Sequence, residues 1–174
     1  DTAAFKIILS QGIRISLQFA FAGILLTWFI APFILKGAAD PIAYPVEMDF
    51  LKIRIFGLPF LYLFQMGNAF LVASLNSRYL MIGFIAEAAT NIVFDYLLIF
   101  GELGFPKLGF NGAAIASLIA ELVGCIVVYA VIFKTGLRKQ YQLLHSFQFN
   151  REKNRQVIKI ATPLILQYMI SVTT

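Results

Sequence analysis

Charged residues are scarce in this sequence. Only 13% of its 174 residues are Asp, Glu, Lys or Arg, whereas 60% are hydrophobic. Soluble domains carry about 25% charged residues, so the composition argues against a water-soluble fold. A mean hydropathy of +0.82 points the same way. We therefore expect a membrane protein.

Reactive side chains are also few. The single Cys125 excludes an internal disulfide, and with the single His145 it provides neither a zinc ligand set nor a Cys/His nucleophile pair. The sequence contains no Walker-type phosphate loop, so nothing indicates ATP-driven chemistry. We expect no enzymatic activity and no cofactor. The net charge of +5 is concentrated in one loop and indicates membrane topology rather than nucleic-acid binding.

Long apolar runs divide the chain into four complete spans and part of a fifth, each too long for a barrel strand. The predicted fold is an all-α, polytopic transmembrane helix bundle. The complete spans are predicted at residues 13–35, 50–75, 79–100 and 112–133. Because the chain starts at Asp1 without an initiator Met and ends inside an apolar run, we interpret it as a segment of a longer polypeptide.

The connections predict the topology. The tight turn at 76–78 should make the second and third spans antiparallel neighbours. Ten Lys and Arg residues belong to the side that carries the chain start, this turn and the long loop after Phe133. The opposite side carries four, which are Lys36, Lys52, Arg54 and Lys107. The positive-inside rule therefore assigns the first side to the cytoplasm.

A polar stripe interrupts the third span. Glu87, Asn91 and Asp95 are four residues apart, so they share one face of a helix. A charged carboxylate near the bilayer centre costs about 2.5 to 3.5 kcal/mol unless it is protonated, paired or hydrated. The basic residues Arg14, Lys52 and Arg54 fall at predicted helix ends, so no ion-pair partner is expected at the depth of the stripe or of Glu121.

Depth counting at about 1.5 Å per residue places polar groups of different spans at matching levels. The matched levels are Asp95 with Ser117, Asn91 with Glu121, and Glu87 with Asn68, with Gln65 three residues beyond Asn68. Asn, Gln and Ser also act as interhelical hydrogen-bonding residues worth about 1 kcal/mol or less, which is the simpler reading of Asn68, Gln65 and Ser117. The unpaired carboxylates are instead expected to exchange a proton or hold a cation.

The motifs around this stripe resemble those of the multidrug and toxic compound extrusion (MATE) transporters. Residues 91–95 read Asn-Ile-Val-Phe-Asp, and residues 108–117 read Leu-Gly-Phe-Asn-Gly-Ala-Ala-Ile-Ala-Ser. Leu58-Pro59, Asn68-Ala69 and the turn at 76–78 fit the preceding helix of that family. The family has Thr at the position of Ser117 in some members, and the stretch 75–77 lacks the Arg-Ala/Gly pattern of others.

The resemblance implies a two-lobe, twelve-helix antiporter that exports drugs or organic cations in exchange for Na⁺ or H⁺. Residues 1–133 would be the third to sixth helices, 134–156 the cytoplasmic inter-lobe loop, and 157–174 the start of the first helix of the C-terminal lobe. The implied cation or proton site comprises Asp95, Asn91, Ser117 and Glu87, with Na⁺ at Asp95 and Asn91; the implied substrate cavity includes Asn68, Gln65 and Glu121. We expect a multi-pass protein of the bacterial inner membrane, monomeric at full length, whose partners are the bilayer and a small molecule.

Three alternatives remain open. A lipid-linked precursor flippase should carry several basic residues within its spans, and the third and fourth predicted spans carry none. An intramembrane enzyme would need a catalytic set at one depth, and Glu121 with Asp95 is the nearest approach. A structural membrane subunit would not need an acidic stripe.

Overall fold

The computed structural model describes residues 2–38 and 40–137 together with residues 151, 152, 155 and 159. It describes the side chains of all of these except residues 2–9 and 38. The helices are α1 (Thr2–Ala38), α2 (Tyr44–Arg54), α3 (Leu58–Ala73), α4 (Leu80–Phe100) and α5 (Phe110–Lys134). Most of the predicted loop 134–156 and of the helix start 157–174 lies outside the described residues.

Within the residues that the structure describes, four helical segments are long and apolar enough to cross a membrane. They are Ser10–Gly37, Tyr44–Ala73, Ser77–Phe100 and Phe110–Lys134. Large apolar side chains such as Phe21, Phe29 and Phe33 are exposed along α1, as lipid contact requires. The predicted all-α membrane bundle is confirmed.

The second span differs from its prediction. It begins at Tyr44 rather than near residue 50, with a proline in the first turn of α2, and it continues through a 3-10 turn (Ile55–Gly57) into α3. The proline in the first turn of α3 cannot donate a helical hydrogen bond, which explains the break. Arg54 is the last residue of α2, but it lies ten residues inside the continuous 30-residue span. The prediction that Arg54 marks the end of a span, away from the depth of Glu121, is therefore wrong.

Helix α5 is the centre of the bundle. It packs most extensively against α4 and also against α3 and α2, whereas α1 packs mainly on α3. Helices α3 and α4 do meet, with the rings of Phe64 and Phe84 edge to face at 5.4 Å, but α5 makes most of the contacts of α4. The buried core joins Phe64 and Phe70 of α3 to Val128 of α5. The two helices connected by the short turn therefore share α5 as their common neighbour.

Close backbone contact joins α4 to α5. Gly101 ends α4 with a left-handed φ of +77°, and its N–H donates to the Leu97 carbonyl at 3.0 Å. The loop then turns back, because the Leu108 N–H donates to the Leu98 carbonyl at 2.8 Å. A Cβ on Gly112 would lie 2.6 Å from that same carbonyl oxygen, so only glycine allows this approach.

Candidate functional site

The polar stripe of α4 is turned toward the bundle. Glu87, Asn91 and Asp95 are each partly buried, whereas Ile92 and Tyr96 of the same helix are 70% and 55% exposed. The exposed apolar side chains form the lipid face of α4, because they lie on the other side of the helix. The stripe therefore faces protein.

The packing of α4 on α5 fixes which residues share a level. The contacts that set this antiparallel register join Gly83 to Val128, Glu87 to Gly124, and Leu98 to Gly112. Counting along both helices brings Asn91 to the level of Glu121, within about one turn. The same register brings Asp95 to the level of Ser117. The two helices thus present their polar groups at two successive levels.

A hydrogen bond between Asn91 and Asp95 joins these two levels. Asn91 Nδ2 donates a hydrogen bond to Asp95 Oδ2 at 2.5 Å, one turn along the helix. Asp95 Oδ1 is buried and has no hydrogen-bond partner in the described part of the chain. Ser117 lies at the level of Asp95 but makes no hydrogen bond to Asn91 or Asp95 among the described side chains. A buried carboxylate oxygen without a donor is a site that a proton or a cation would satisfy.

The predicted cavity residues of α3 have different surroundings. Asn68 is 5% exposed, and neither its Oδ1 nor its Nδ2 has a partner among the described residues. Gln65 is exposed. Asn68 is thus a second buried polar group that lacks a hydrogen bond, whereas Gln65 lies at the surface of the described helices.

A buried ion pair lies at the level of Asn91 and Glu121. Arg54 Nη2 and Nη1 of α2 donate to Glu121 Oε1 and Oε2 of α5 at 2.5 and 3.1 Å. The Glu121 side chain is 5% exposed and that of Arg54 31%. The prediction that Glu121 has no basic partner at its depth is therefore wrong. Both carboxylate oxygens of Glu121 accept hydrogen bonds from Arg54 in this structure.

Glu87 lies next to this pair. Its Cβ is 3.1 Å from where a Cβ on Gly124 would stand, and it is close enough to interact electrostatically with Glu121 and Arg54. No hydrogen bond reaches Glu87 within the described residues. The cluster, drawn from α2, α4 and α5, thus contains one guanidinium, which is paired with Glu121, and a second carboxylate, Glu87, near that pair.

Sequence reasoning missed Arg54 because a charged stretch was taken as the end of a span. A signal was present, since Gly57 and Pro59 follow Arg54 and indicate a break inside one long span rather than its beginning. Within the described residues, no three His, Cys, Asp or Glu side chains converge as a transition-metal site would require. The donors that the described part of the chain offers are carboxylate and amide oxygens, which suit H⁺ or a hard cation.

Comparisons with known proteins support one family. The MatE family model matches residues 1–97. The chain is 35% identical over 125 residues to a probable multidrug resistance protein NorM of Bacillus cereus, covering 70% of this chain and 27% of that protein. It is 31% identical over 81 residues to a probable NorM of Thermotoga maritima, covering 46% of this chain and 17% of that protein.

A further relative is named for a different activity. The FAD transporter of Shewanella oneidensis is 30% identical over 148 residues, covering 82% of this chain and 31% of that protein. No solved structure matches the chain significantly. The chain thus spans between about a sixth and a third of the length of these curated relatives. With a family model that covers more than half of its residues, the chain belongs to the MatE family of multidrug and toxic compound extrusion (MATE) proteins.

Proposed function

We propose that this chain is part of a secondary antiporter that exports drugs or other organic cations in exchange for Na⁺ or H⁺. The observation that carries the proposal is Asp95, whose Oδ1 is buried without a partner while Asn91 holds Oδ2. The NorM relatives, which are named as probable multidrug resistance proteins, support multidrug export as the activity. H⁺ would bind Asp95 directly, and Na⁺ would use Asp95 with amide and hydroxyl oxygens of Asn91 and Ser117.

Charge on Asp95 supplies the coupling energy. An uncompensated carboxylate within a membrane span costs about 2.5 to 3.5 kcal/mol, and a bound proton or cation removes that cost. A difference of this size between two helix packings shifts their populations about 100-fold. Binding of a proton or cation to Asp95 can therefore favour the conformation in which the transport cavity opens to one side of the membrane. Its release can favour the conformation that opens to the other side.

The test is gradient-driven transport by the full-length protein in liposomes. A fluorescent organic cation such as ethidium is the probe, and an imposed Na⁺ or H⁺ gradient is the driving force. Asp95→Asn should reduce gradient-driven transport at least about 10-fold, because the amide cannot be charged and discharged. The matched control is Asp49→Asn, which removes a 60%-exposed carboxylate five residues after the start of the second span and should transport normally.

Undiminished transport in Asp95→Asn would refute the proposal. Elution of both variants as monodisperse protein in detergent excludes misfolding as the cause of any loss. Comparison of the Na⁺ and H⁺ gradients in the wild-type protein identifies the coupling ion.

A flavin dinucleotide is the second candidate substrate. The FAD transporter matches 82% of this chain, a larger share than either NorM relative above. FAD carries a pyrophosphate, so it would need a free basic group, whereas the guanidinium of Arg54 is engaged by Glu121. The same liposomes loaded with FAD decide between the substrates: gradient-driven movement of FAD without movement of ethidium would replace the drug cation.

A further inference from the structure

The cluster of Arg54, Glu87 and Glu121 has one positive and two negative side chains. Each lies at least ten residues from the nearer end of its membrane span, so all three are in the middle of the bundle. The charged groups that act on Glu87 are Glu121 from α5 and Arg54 from α2, and α3 contains no charged residue. The charges of this cluster therefore balance only when one more positive charge is present.

The ion pair is built asymmetrically. Glu121 is 5% exposed and fixed among helices, whereas Arg54 is 31% exposed and reaches in from α2. A guanidinium has five N–H donors, and two are used on Glu121. Arg54 is thus the member of the pair that can change its position, and it keeps donors for a second carboxylate.

Arg54 also lies directly before the break between α2 and α3. It is the last residue of α2, and the 3-10 turn Ile55–Gly57 follows it directly. A short 3-10 stretch inside a long helix often marks a hinge. Because Glu121 belongs to α5 and Glu87 to α4, the partner of Arg54 determines which of these two helices is tied to the end of α2.

From this geometry we infer that Arg54 exchanges partners between Glu121 and Glu87. When Glu87 holds a proton or a monovalent cation, Arg54 pairs with Glu121, as in this structure. When Glu87 is unloaded, its negative charge draws the guanidinium toward α4, and the hinge at Ile55–Gly57 absorbs the movement. Arg54 is then a positioning residue that converts the charge state of α4 into the packing of α2. The inference deepens the proposed function, on which it rests.

The alternative is a purely structural ion pair. A structural pair can be replaced by apolar residues of similar size without loss of stability or function, whereas removal of one partner leaves an uncompensated charge. The double variant Arg54→Met/Glu121→Leu therefore distinguishes partner exchange from a structural ion pair. It makes exchange impossible and leaves neither Arg54 nor Glu121 as an unpaired charge. Glu87→Gln is the second variant, since it keeps the shape of the side chain but cannot become charged.

The experiment measures the distance between α2 and α4 in the full-length protein. Spin labels are attached at Val46 of α2 and Phe100 of α4, which are 48% and 59% exposed, in a Cys125→Ala background without other reactive cysteines. Distance distributions are recorded in detergent or nanodiscs, in acidic and alkaline buffer, with and without Na⁺. The wild type should change its distribution between the loaded and unloaded conditions.

Glu87→Gln should keep the loaded distribution under every condition. Arg54→Met/Glu121→Leu should give one α2–α4 distance distribution that does not change with pH or Na⁺. The control is Lys52→Gln, which removes the neighbouring exposed pair with Asp49 and should respond as the wild type does. A wild-type response in Glu87→Gln or in the double variant overturns the inference, as does a wild-type protein that does not respond. If the double variant fails to fold, Glu87→Gln decides alone.

Ethidium transport, measured in parallel on the same proteins, keeps this inference distinguishable from the proposed function. Gradient-driven transport with an unchanging distance between α2 and α4 refutes the exchange alone. A distance that responds to loading in a protein without gradient-driven transport refutes the antiport function and leaves the exchange intact.

Discussion

Gly57 is the residue whose substitution tests the geometry of the ion pair most directly. It is buried, and a Cβ added there would overlap Glu121 Oε2 and lie 2.6 Å from Arg54 Nη1. Its own φ of −73° and ψ of −22° are ordinary helical values that alanine adopts freely. The substitution Gly57→Ala therefore disturbs the ion pair and not the backbone.

The magnitude follows from the two hydrogen bonds at risk. They are 2.5 and 3.1 Å long, and a methyl group in contact with both side chains must displace at least one of them. Breaking a buried ion pair costs about 3 to 5 kcal/mol, which is an upper bound because the partly exposed Arg54 can move. Alanine gains about 1 kcal/mol of helix propensity over glycine, so we expect a net loss of about 2 kcal/mol.

The assay is unfolding of the detergent-solubilised full-length protein by heat or by SDS titration. The control is Gly37→Ala, at the exposed end of α1, where an added Cβ meets nothing within 4 Å and stability should stay unchanged or rise slightly. In a Glu121→Ala background, which removes the overlap with Glu121 and frees Arg54 to move away, Gly57→Ala should cost measurably less. Equal costs in the two backgrounds, or a Gly57→Ala protein as stable as the wild type, would refute the reasoning.

Two further predictions concern the packing of α5. Gly112→Ala should lower the melting temperature by the equivalent of about 1 to 3 kcal/mol, because the new Cβ would meet the backbone carbonyl of Leu98, which cannot rotate away; an unchanged melting temperature would contradict the close approach. Cys125 is 9% exposed within the core, so a maleimide should label it at least about 10-fold more slowly in the native protein than in SDS. Equal labelling rates would mean that the core opens readily.

The sequence predicted those features of the fold that depend on local pattern. Hydropathy found four spans, because each apolar run is about as long as the bilayer core is thick. The four-residue spacing placed Glu87, Asn91 and Asp95 on one face of α4, since that spacing is a property of the helix itself. Depth counting also worked between α4 and α5, because their connection is short and both helices are continuous.

The remaining features depend on tertiary packing. Arg54 meets a partner 67 residues away in the sequence, and no local pattern indicates that α2 rests on α5. A charged stretch also lowers hydropathy wherever it occurs, so the same residues could end a span or lie within one. Arg54 lies within its span because Glu121 neutralises the guanidinium and so lowers the free-energy cost of burying it.

The pairing of Glu121 leaves a definite charge imbalance in the bundle. Of the three carboxylates in the middle of α4 and α5, Arg54 neutralises one, and Glu87 and Asp95 have no basic partner within hydrogen-bonding distance in the described part of the chain. A structural membrane subunit gains nothing from two such charges, because each raises the cost of insertion. Their presence is explained if mobile cations or protons occupy them in turn. Glu87 and Asp95 lie about two helical turns apart on α4, about 12 Å, so under the proposed function a proton or cation at one carboxylate leaves the other accessible to a second.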